Sequence, residues 1–103
     1  MWARLSRYAG LPPERLEQTI SEFEAEQLPA IEQQPGFEGV MVAVDRKAGK
    51  ATAITYWDSQ ENLRASDKLA AQARAAAEAT AGVANQPSRE PIVDHYEVVI
   101  RKP

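Results

Sequence analysis

Residues Pro35 to Ser66 read PGFEGVMVAVDRKAGKATAITYWDSQENLRAS, and this stretch decides the fold of the chain. It contains two runs rich in β-branched and aromatic residues, 37–45 and 50–57, joined by the four residues 46–49. The loop length, and the glycine at its end that accepts a positive φ, predict a β-hairpin. A tryptophan closes the second run directly before a helix start, so the hairpin should lead straight into a helix.

Both faces of the predicted hairpin are largely uncharged. Alternation divides the side chains of each strand between its two faces. In the first strand Val40, Val42 and Val44 lie opposite Met41 and Ala43; in the second, Thr52, Ile54 and Tyr56 lie opposite Ala51, Ala53, Thr55 and Trp57. An antiparallel sheet with one face in water alternates apolar with polar residues. We therefore expect something to cover each face of this sheet.

The segments before the hairpin predict a strand and a helix. Trp2 to Tyr8 alternates aromatic, small and charged residues, as a first strand does. Pro13 suits the first turn of a helix, where its missing N–H has no partner to lose. Apolar residues then recur every three or four positions from Leu16 to Ile31. Pro29 should kink that helix or confine it to a separate final turn.

The segments after the hairpin predict a second helix and a last strand. Asp58 or Ser59 is the expected N-cap, and Asp58 with Glu61 has the spacing of a capping box. One alanine-rich helix should run from about 60 to 81 and end at Gly82. Its inward stripe is expected to comprise Leu63, Ser66, Ala70, Ala73 or Arg74, and Ala77. An irregular loop over 83–91 and a strand over 92–100 complete the chain.

The resulting order, β-α-β-β-α-β, predicts an α+β fold of the ferredoxin-like split βαβ type in a single domain, residues 1–103. Two helices cover one face of such a sheet. The second apolar face then predicts a homodimer, in which two sheets pack together as a dimeric α/β barrel. Leaving that face exposed would forgo about 10 kcal/mol of apolar burial.

Composition narrows the class of protein. The chain is 44% hydrophobic and 26% charged, which is typical of a soluble globular domain. A formal net charge of −3 argues against nucleic-acid binding, which favours a basic face. The lack of cysteine excludes disulfides and thiolate chemistry. The sequence contains no apolar run long enough for a signal peptide or a membrane span. We therefore expect a cytoplasmic protein without membrane contact.

The runs PGFEGV, VDRKAG and ITYWDSQENLRAS, with a closing YEVV strand, resemble the antibiotic-biosynthesis-monooxygenase-like proteins of the dimeric α/β-barrel superfamily. The resemblance spans nearly the whole domain. It implies a cofactor-independent monooxygenase that acts on an aromatic or quinol-type small molecule. It equally admits a non-catalytic ligand-binding or stress-related dimer, or a structural dimer that presents its alanine-lined helix to another protein.

The haem-degrading branch of that superfamily can be compared residue by residue. The branch uses an asparagine on the first strand, a tryptophan on the third strand and an axial histidine on the second helix. Trp57 matches the tryptophan, but the first strand has no asparagine and the second helix has no histidine. Because a proximal ligand usually holds haem iron, we expect no haem, no metal and no other cofactor.

For the oxygenase interpretation, the resemblance suggests catalytic roles for Trp57, as a pocket wall and N–H donor, and for His95, as a base near neutral pH. The suggested substrate-binding residues are Arg4, Asn62, Arg64 and Tyr96, and Tyr8 is a further candidate for the pocket wall. Simpler interpretations compete with these roles. Trp57 could fill the core under the second helix, His95 could be a surface residue, and Tyr96, like Tyr56, could lie in the dimer interface.

Overall fold

A four-stranded antiparallel sheet forms the frame of the protein. The structure is a computed structural model that describes residues 1–82 and 92–103. The strands are β1 (Trp2–Tyr8), β2 (Phe37–Asp45), β3 (Lys50–Trp57) and β4 (Ile92–Glu97). Their order across the sheet is β2-β3-β1-β4, and all neighbours are antiparallel. This is the ferredoxin-like arrangement that the sequence predicts.

Helices pack on one face of this sheet, which we call the inner face; the opposite face is the outer face. The helical segments are α1 (Pro13–Glu22), a π-helical turn (Phe23–Gln27), α2 (Leu28–Glu32), α3 (Gln60–Ala65) and α4 (Asp67–Ala81). Leu16 on α1 and Ile31 on α2 are buried, as the predicted apolar stripe requires.

The proline inside the first helical stretch produces a separate final segment, one of the two outcomes expected for it. Pro29 offers no N–H to the preceding turn and its ring crowds the carbonyl four residues earlier. The turn before it widens, and the Leu28 N–H bonds the carbonyl of Phe23, five residues back. The short helix α2 then continues to Glu32.

The prediction of one continuous helix over 60–81 is wrong, because the helix breaks at Ser66. In a continuous helix the Leu63 carbonyl would accept the N–H of Asp67. Here that carbonyl accepts instead from Arg4 Nη2 at 2.7 Å and from Ser66 Oγ at 2.6 Å. A side chain of β1 thus takes the acceptor that the next helical turn would need.

The predicted capping box does not form. Ser59 is the N-cap, and its hydroxyl accepts the Asn62 N–H at 3.1 Å. Asp58 instead accepts from the Asn62 side chain at 2.8 Å. Gly36, with φ of +81°, packs against this corner so closely that a Cβ would lie 2.6 Å from Asn62 Nδ2. The glycine is therefore required where α2 turns into β2.

The register confirms the predicted division of side chains between the two faces. Val40 pairs with Thr55 on the inner face, and Met41 pairs with Ile54 on the outer face. The last strand ends at Glu97, not at position 100. The Val98 N–H still bonds the carbonyl of Met1, the residue before β1, at 2.8 Å, so the pairing stops where its partner strand runs out. The loop predicted over 83–91 lies outside the described residues.

The two faces differ in what covers them. The inner face holds two clusters of buried residues, and the larger one contains Ile31, Trp57, Leu63 and Ala73. The outer face leaves apolar side chains in solvent, with Met41 48% exposed and Ile92 61% exposed. On the hairpin strands this face is largely uncharged, as expected, although Arg7 and Asp94 form an ion pair elsewhere on it. Among residues 1–82 and 92–103, no helix packs over the outer face.

Candidate functional site

A cleft between the inner face and the helices is the best candidate for a functional site. One part, which we call the apolar lobe, has a cavity volume of about 60 Å³ and is lined chiefly by Leu11, Leu16, Ile20, Phe23 and Val42. The other part, the polar lobe, has a cavity volume of about 40 Å³, and its polar wall comprises Arg4, Ser6, Gln34, Thr55, Ser66 and Arg74. Both parts are open to solvent. Tyr8, Phe23 and Ala53 line both lobes.

The cleft exists because helix α4 presents small side chains to the sheet. Ala70 and Ala73 line the polar lobe, and Ala77 lines the apolar lobe. These alanines belong to the stripe that the sequence predicts to face inward. A methyl group lets the helix lie near the sheet but cannot fill the space between them, so a cleft remains.

Trp57 forms the floor of the polar lobe and is fully buried, with 0% of its surface exposed. Its ring meets Phe37 edge to face, with centroids 5.8 Å apart. The indole N–H donates to Thr55 Oγ1 at 3.0 Å. The side chain is therefore core and cleft wall together, and its N–H already has a partner inside the protein.

Arg4 lines the polar lobe as a buried cation, 3% exposed. Besides the Leu63 carbonyl, its Nη2 contacts Ser66 Oγ at 3.1 Å and forms an ion pair with Asp67. Its guanidinium also lies 5.9 Å from the centre of the Trp57 ring. Burial lowers the pKa of Arg4, and the bond to Asp67 opposes that shift. These contacts tie β1 to the α3–α4 junction.

His95 lies on the edge strand β4, opposite Arg4 in the register. Its Nε2 is 3.6 Å from Asp67 Oδ1, so one carboxylate faces both Arg4 and His95. Burial lowers the pKa of His95 below its ordinary value, Asp67 opposes this, and three nearby arginines reinforce it. The imidazole is consequently neutral at neutral pH and able to accept a proton.

The structure does not bring the other suggested binding residues into the cleft. Tyr96 pairs with Ala3 on the outer face and is about half exposed. Asn62 is engaged by the cap of α3, and Arg64 is exposed on the same short helix. Trp57 and Arg4 therefore come together in the polar lobe, with His95 joined to them through Asp67.

Tyr8 and Arg74 hold more central positions in the cleft than the sequence predicts. Tyr8, considered there only as a wall, lines both lobes, and burial raises its pKa to about 12, which keeps its hydroxyl neutral. Arg74, which the helical periodicity left as an alternative to Ala73 on the inward stripe, lines the polar lobe. The signal that could have singled it out is a lone cation among alanines on that stripe.

Solved structures with this fold span the whole chain. The haem degrader MhuD from Mycobacterium tuberculosis, determined with two haems in its active site, is 21% identical, with a TM-score of 0.69 and 100% of both chains covered. The chain has the fold of the antibiotic-biosynthesis-monooxygenase-like proteins. The predicted resemblance is thereby confirmed for the fold.

Two further structures extend this likeness. A monooxygenase from Streptomyces coelicolor, determined with nanaomycin D, is 13% identical with a TM-score of 0.68, and the match covers 98% of this chain and 92% of that one. An antibiotic-biosynthesis-monooxygenase-like protein from Deinococcus radiodurans is 15% identical with a TM-score of 0.68, covering 100% and 97%. No protein-family model and no curated protein sequence matches the chain.

Within residues 1–82 and 92–103, no three His, Cys, Asp or Glu side chains cluster as metal ligands do. Over the same residues, no helix has the length and apolarity needed to cross a membrane.

Proposed function

We propose that the protein is a cofactor-independent monooxygenase-like enzyme that acts on an aromatic or quinol-type small molecule bound in the cleft. The observation that carries this proposal is an apolar, aromatic-walled cleft that continues into a polar lobe with two arginines. Such a mixture of apolar walls and a few polar groups is typical of small-molecule sites. The same fold holds haem in MhuD and nanaomycin D in the Streptomyces enzyme, which supports a ring-shaped ligand.

The chemistry asks little of the protein. A fused-ring phenol with a reactive ring C–H supplies four electrons to O₂. One oxygen atom enters the ring as a new carbonyl, the other leaves as water, and the phenol becomes a quinone. The protein must bind the ring, favour the phenolate and accept a proton.

Residues of the cleft suit these tasks. The neutral hydroxyl of Tyr8 is a hydrogen-bond donor at the junction of the lobes. The arginines of the polar lobe favour an oxyanion. His95, neutral at neutral pH, is the proposed base; it faces Asp67, which pairs with Arg4 of the polar lobe.

Haem fits these residues poorly. Among the described residues, neither lobe is lined by a histidine, cysteine or methionine that could serve as an axial ligand. His95 lies instead on the edge strand beside Asp67. We therefore derive no step through haem.

We further propose that the protein is a cytoplasmic homodimer, and the outer face supports the dimer. Met41, Ile92 and Tyr96 are about half exposed or more in one chain. A copy of the same face, packed sheet to sheet, would remove these side chains from water in a two-fold arrangement. The proposed single-domain subunit then gains on its outer face the cover that helices give its inner face.

One observation favours the alternative, a non-catalytic ligand-binding dimer. The Trp57 N–H is already bonded to Thr55, and His95 does not line either lobe. A protein of this kind would bind ring compounds in the cleft and leave them unchanged. It would show ligand-dependent thermal stabilisation without oxygen consumption.

Anthrone is a suitable probe, because its oxidation to anthraquinone and water consumes one O₂ per molecule. We expect catalysed oxygen uptake and quinone absorbance with the wild-type protein. Ala70→Leu, which fills the polar lobe, should lower kcat/KM about tenfold or more, since the ring then misfits. The matched variant Ala71→Leu, on the exposed side of the same helix, should leave it unchanged.

Each outcome assigns the function. Stabilisation by anthrone without turnover would favour the binding protein over the enzyme. Equal effects of Ala70→Leu and Ala71→Leu would show that the cleft is not the site. Neither turnover nor stabilisation across a set of fused-ring phenols would overturn both versions of the proposal.

A further inference from the structure

Arg74 occupies an unusual position in the polar lobe. It projects from the middle of α4, one residue after the buried Ala73, and lines the lobe together with Arg4. Its Nη1 atom is buried and has no hydrogen-bond partner within the ranges 1–82 and 92–103. A buried donor without a partner carries a desolvation cost that native proteins seldom leave uncompensated.

The acid that could compensate Arg74 is engaged elsewhere. Asp67, the carboxylate of this region, pairs with Arg4 and faces His95. None of the ion pairs within the described part of the chain includes Arg74. Glu78, one helical turn further on, lines the apolar lobe. The polar lobe is thus lined by two guanidinium groups and by no carboxylate among the described residues, while the nearby Asp67 is already shared by Arg4 and His95.

The effect of this cation reaches the neighbouring titratable groups. Its charge acts to lower the pKa of Arg4, of His95 and of Tyr8. The guanidinium therefore lies within electrostatic reach of all three side chains, and its Nη1 atom is itself shielded from water. Such a position is built to receive a negative charge, since an opposite charge there is screened little.

We infer that the ligand of this cleft is an anion, whose planar oxyanion pairs with Arg74 in the polar lobe while its ring system occupies the apolar lobe. The inference rests on the proposed function of the cleft and adds the charge of the substrate to it. A guanidinium presents its donors as a planar fork that matches a carboxylate, and it also stacks or bonds with a phenolate. Tyr8, shared by both lobes, would lie against the junction of ring and oxyanion.

Binding of matched acid and neutral probes tests the inference. Naphthoate and naphthamide share a ring and a planar head group but differ in charge, and isothermal titration at neutral pH gives both affinities. We expect naphthoate to bind about ten to a hundred times more tightly, as a charge-assisted bond requires. A parallel pair, para-nitrophenol and its methyl ether, tests the phenolate, and the pair with the larger preference identifies the anion.

Variants assign the preference to Arg74. Arg74→Gln should reduce the naphthoate preference to about that of a neutral hydrogen bond, less than tenfold. Arg74→Lys should keep part of it, since the charge remains and the fork is lost. Lys68→Gln removes one positive charge from an exposed position of the same helix and should leave the preference unchanged.

Thermal unfolding of the ligand-free protein supplies a second test. Because Arg74 has a buried donor without a partner, Arg74→Met should unfold at the same temperature or higher. A clear fall in Tm would indicate a structural role and overturn the inference. Equal affinities of the wild type for naphthoate and naphthamide would also overturn it, and they would leave the proposed ring-binding cleft intact. Acid-selective binding without anthrone turnover would support the inference about Arg74 and would overturn only the proposed enzymatic activity.

Discussion

The two faces of the sheet are made by the same four strands, yet they meet different surroundings. Two arginines of strand β1, three residues apart, show how the surroundings of the two faces differ. Arg4 points to the inner face, is almost fully buried and holds the α3–α4 junction through Asp67. Arg7 points to the outer face, keeps about half of its side chain exposed and lies 3.6 Å from Asp94. The alternation of the strand decides on which face a side chain lies. The elements that cover that face decide how much the side chain contributes to stability.

The largest expected effect comes from a charge on the outer face. Ile54 lies there between Leu5 and Met41, on the two neighbouring strands. Ile54→Glu should convert the proposed dimer to monomers. The interface gains about 10 kcal/mol from apolar burial, and the variant would have to bury an unpaired carboxylate from each subunit there. Sedimentation equilibrium at micromolar concentration measures this change.

A matched control places the same charge elsewhere. Gln72→Glu, on the exposed side of α4, should leave the association unchanged. A wild-type chain that sediments as a monomer, or an Ile54→Glu variant that remains dimeric, would contradict the proposed use of the outer face.

The next effect compares the two arginines of β1. Arg4→Met should lower the free energy of unfolding by about 1–3 kcal/mol, because the buried Leu63 carbonyl loses a charged donor and the half-exposed Asp67 loses its ion pair. Arg7→Met should cost less than about 1 kcal/mol, since its ion pair is exposed and screened by water. Urea denaturation of both variants measures the difference, and equal losses would mean that the inner face does not bury its charge as described.

A smaller contrast separates the neighbouring aromatic residues of β3. Trp57→Phe should cost about 1–3 kcal/mol, because Thr55 loses a buried hydrogen-bond donor. Tyr56→Phe on the outer face should change stability little, since the ring keeps its stacking with Arg101, whose guanidinium lies 4.0 Å away. Thermal unfolding compares the two variants, and a greater loss at Tyr56 would contradict this division of core and surface.

The smallest effect is a pH dependence from His95. Its pKa in the folded protein is below the ordinary 6.5 because burial, and the charges of Arg4, Arg64 and Arg74, outweigh the attraction of Asp67. Between the folded pKa and 6.5 the unfolded chain binds more protons, so the free energy of unfolding falls as the pH drops through this window.

His95→Gln provides the comparison for this titration. The wild type should lose stability relative to His95→Gln on acidification, and any oxygenase activity should fall in the same window if His95 is the base. Parallel stability curves for the two proteins would contradict the lowered pKa. An activity profile that His95→Gln leaves unchanged would exclude the base role.

The sequence predicts most of the fold because its signals are local. The bounds of β1, β2 and β3, the helix start at Pro13 and the stop at Gly82 follow from alternation, proline chemistry and a positive φ. The break at Ser66 could not be predicted this way, since it depends on an arginine from a strand about sixty residues earlier. The capping choice of Ser59 over Asp58 likewise depends on how closely Gly36 packs.

The cleft was less predictable than the fold. Trp57 and Arg4 do come together in the polar lobe, as their predicted strands allow. Tyr96 and Asn62 were suggested by chemical type alone, and register and capping place them elsewhere. Arg74 stands out because its buried Nη1 atom has no hydrogen-bond partner among the described residues. Only the three-dimensional structure shows this.

The bond from Arg4 to the Leu63 carbonyl also has a consequence for the order of folding. The residues of α3 and α4 favour one uninterrupted helix, and a free peptide covering 60–81 should adopt it with no bend at Ser66. We expect the bend to become stable when β1 docks, because its guanidinium then joins the Ser66 hydroxyl on that carbonyl. Amide exchange at Asp67, or the helical circular dichroism signal, should therefore change when the first strand docks. The measurement would give the time of that step during folding.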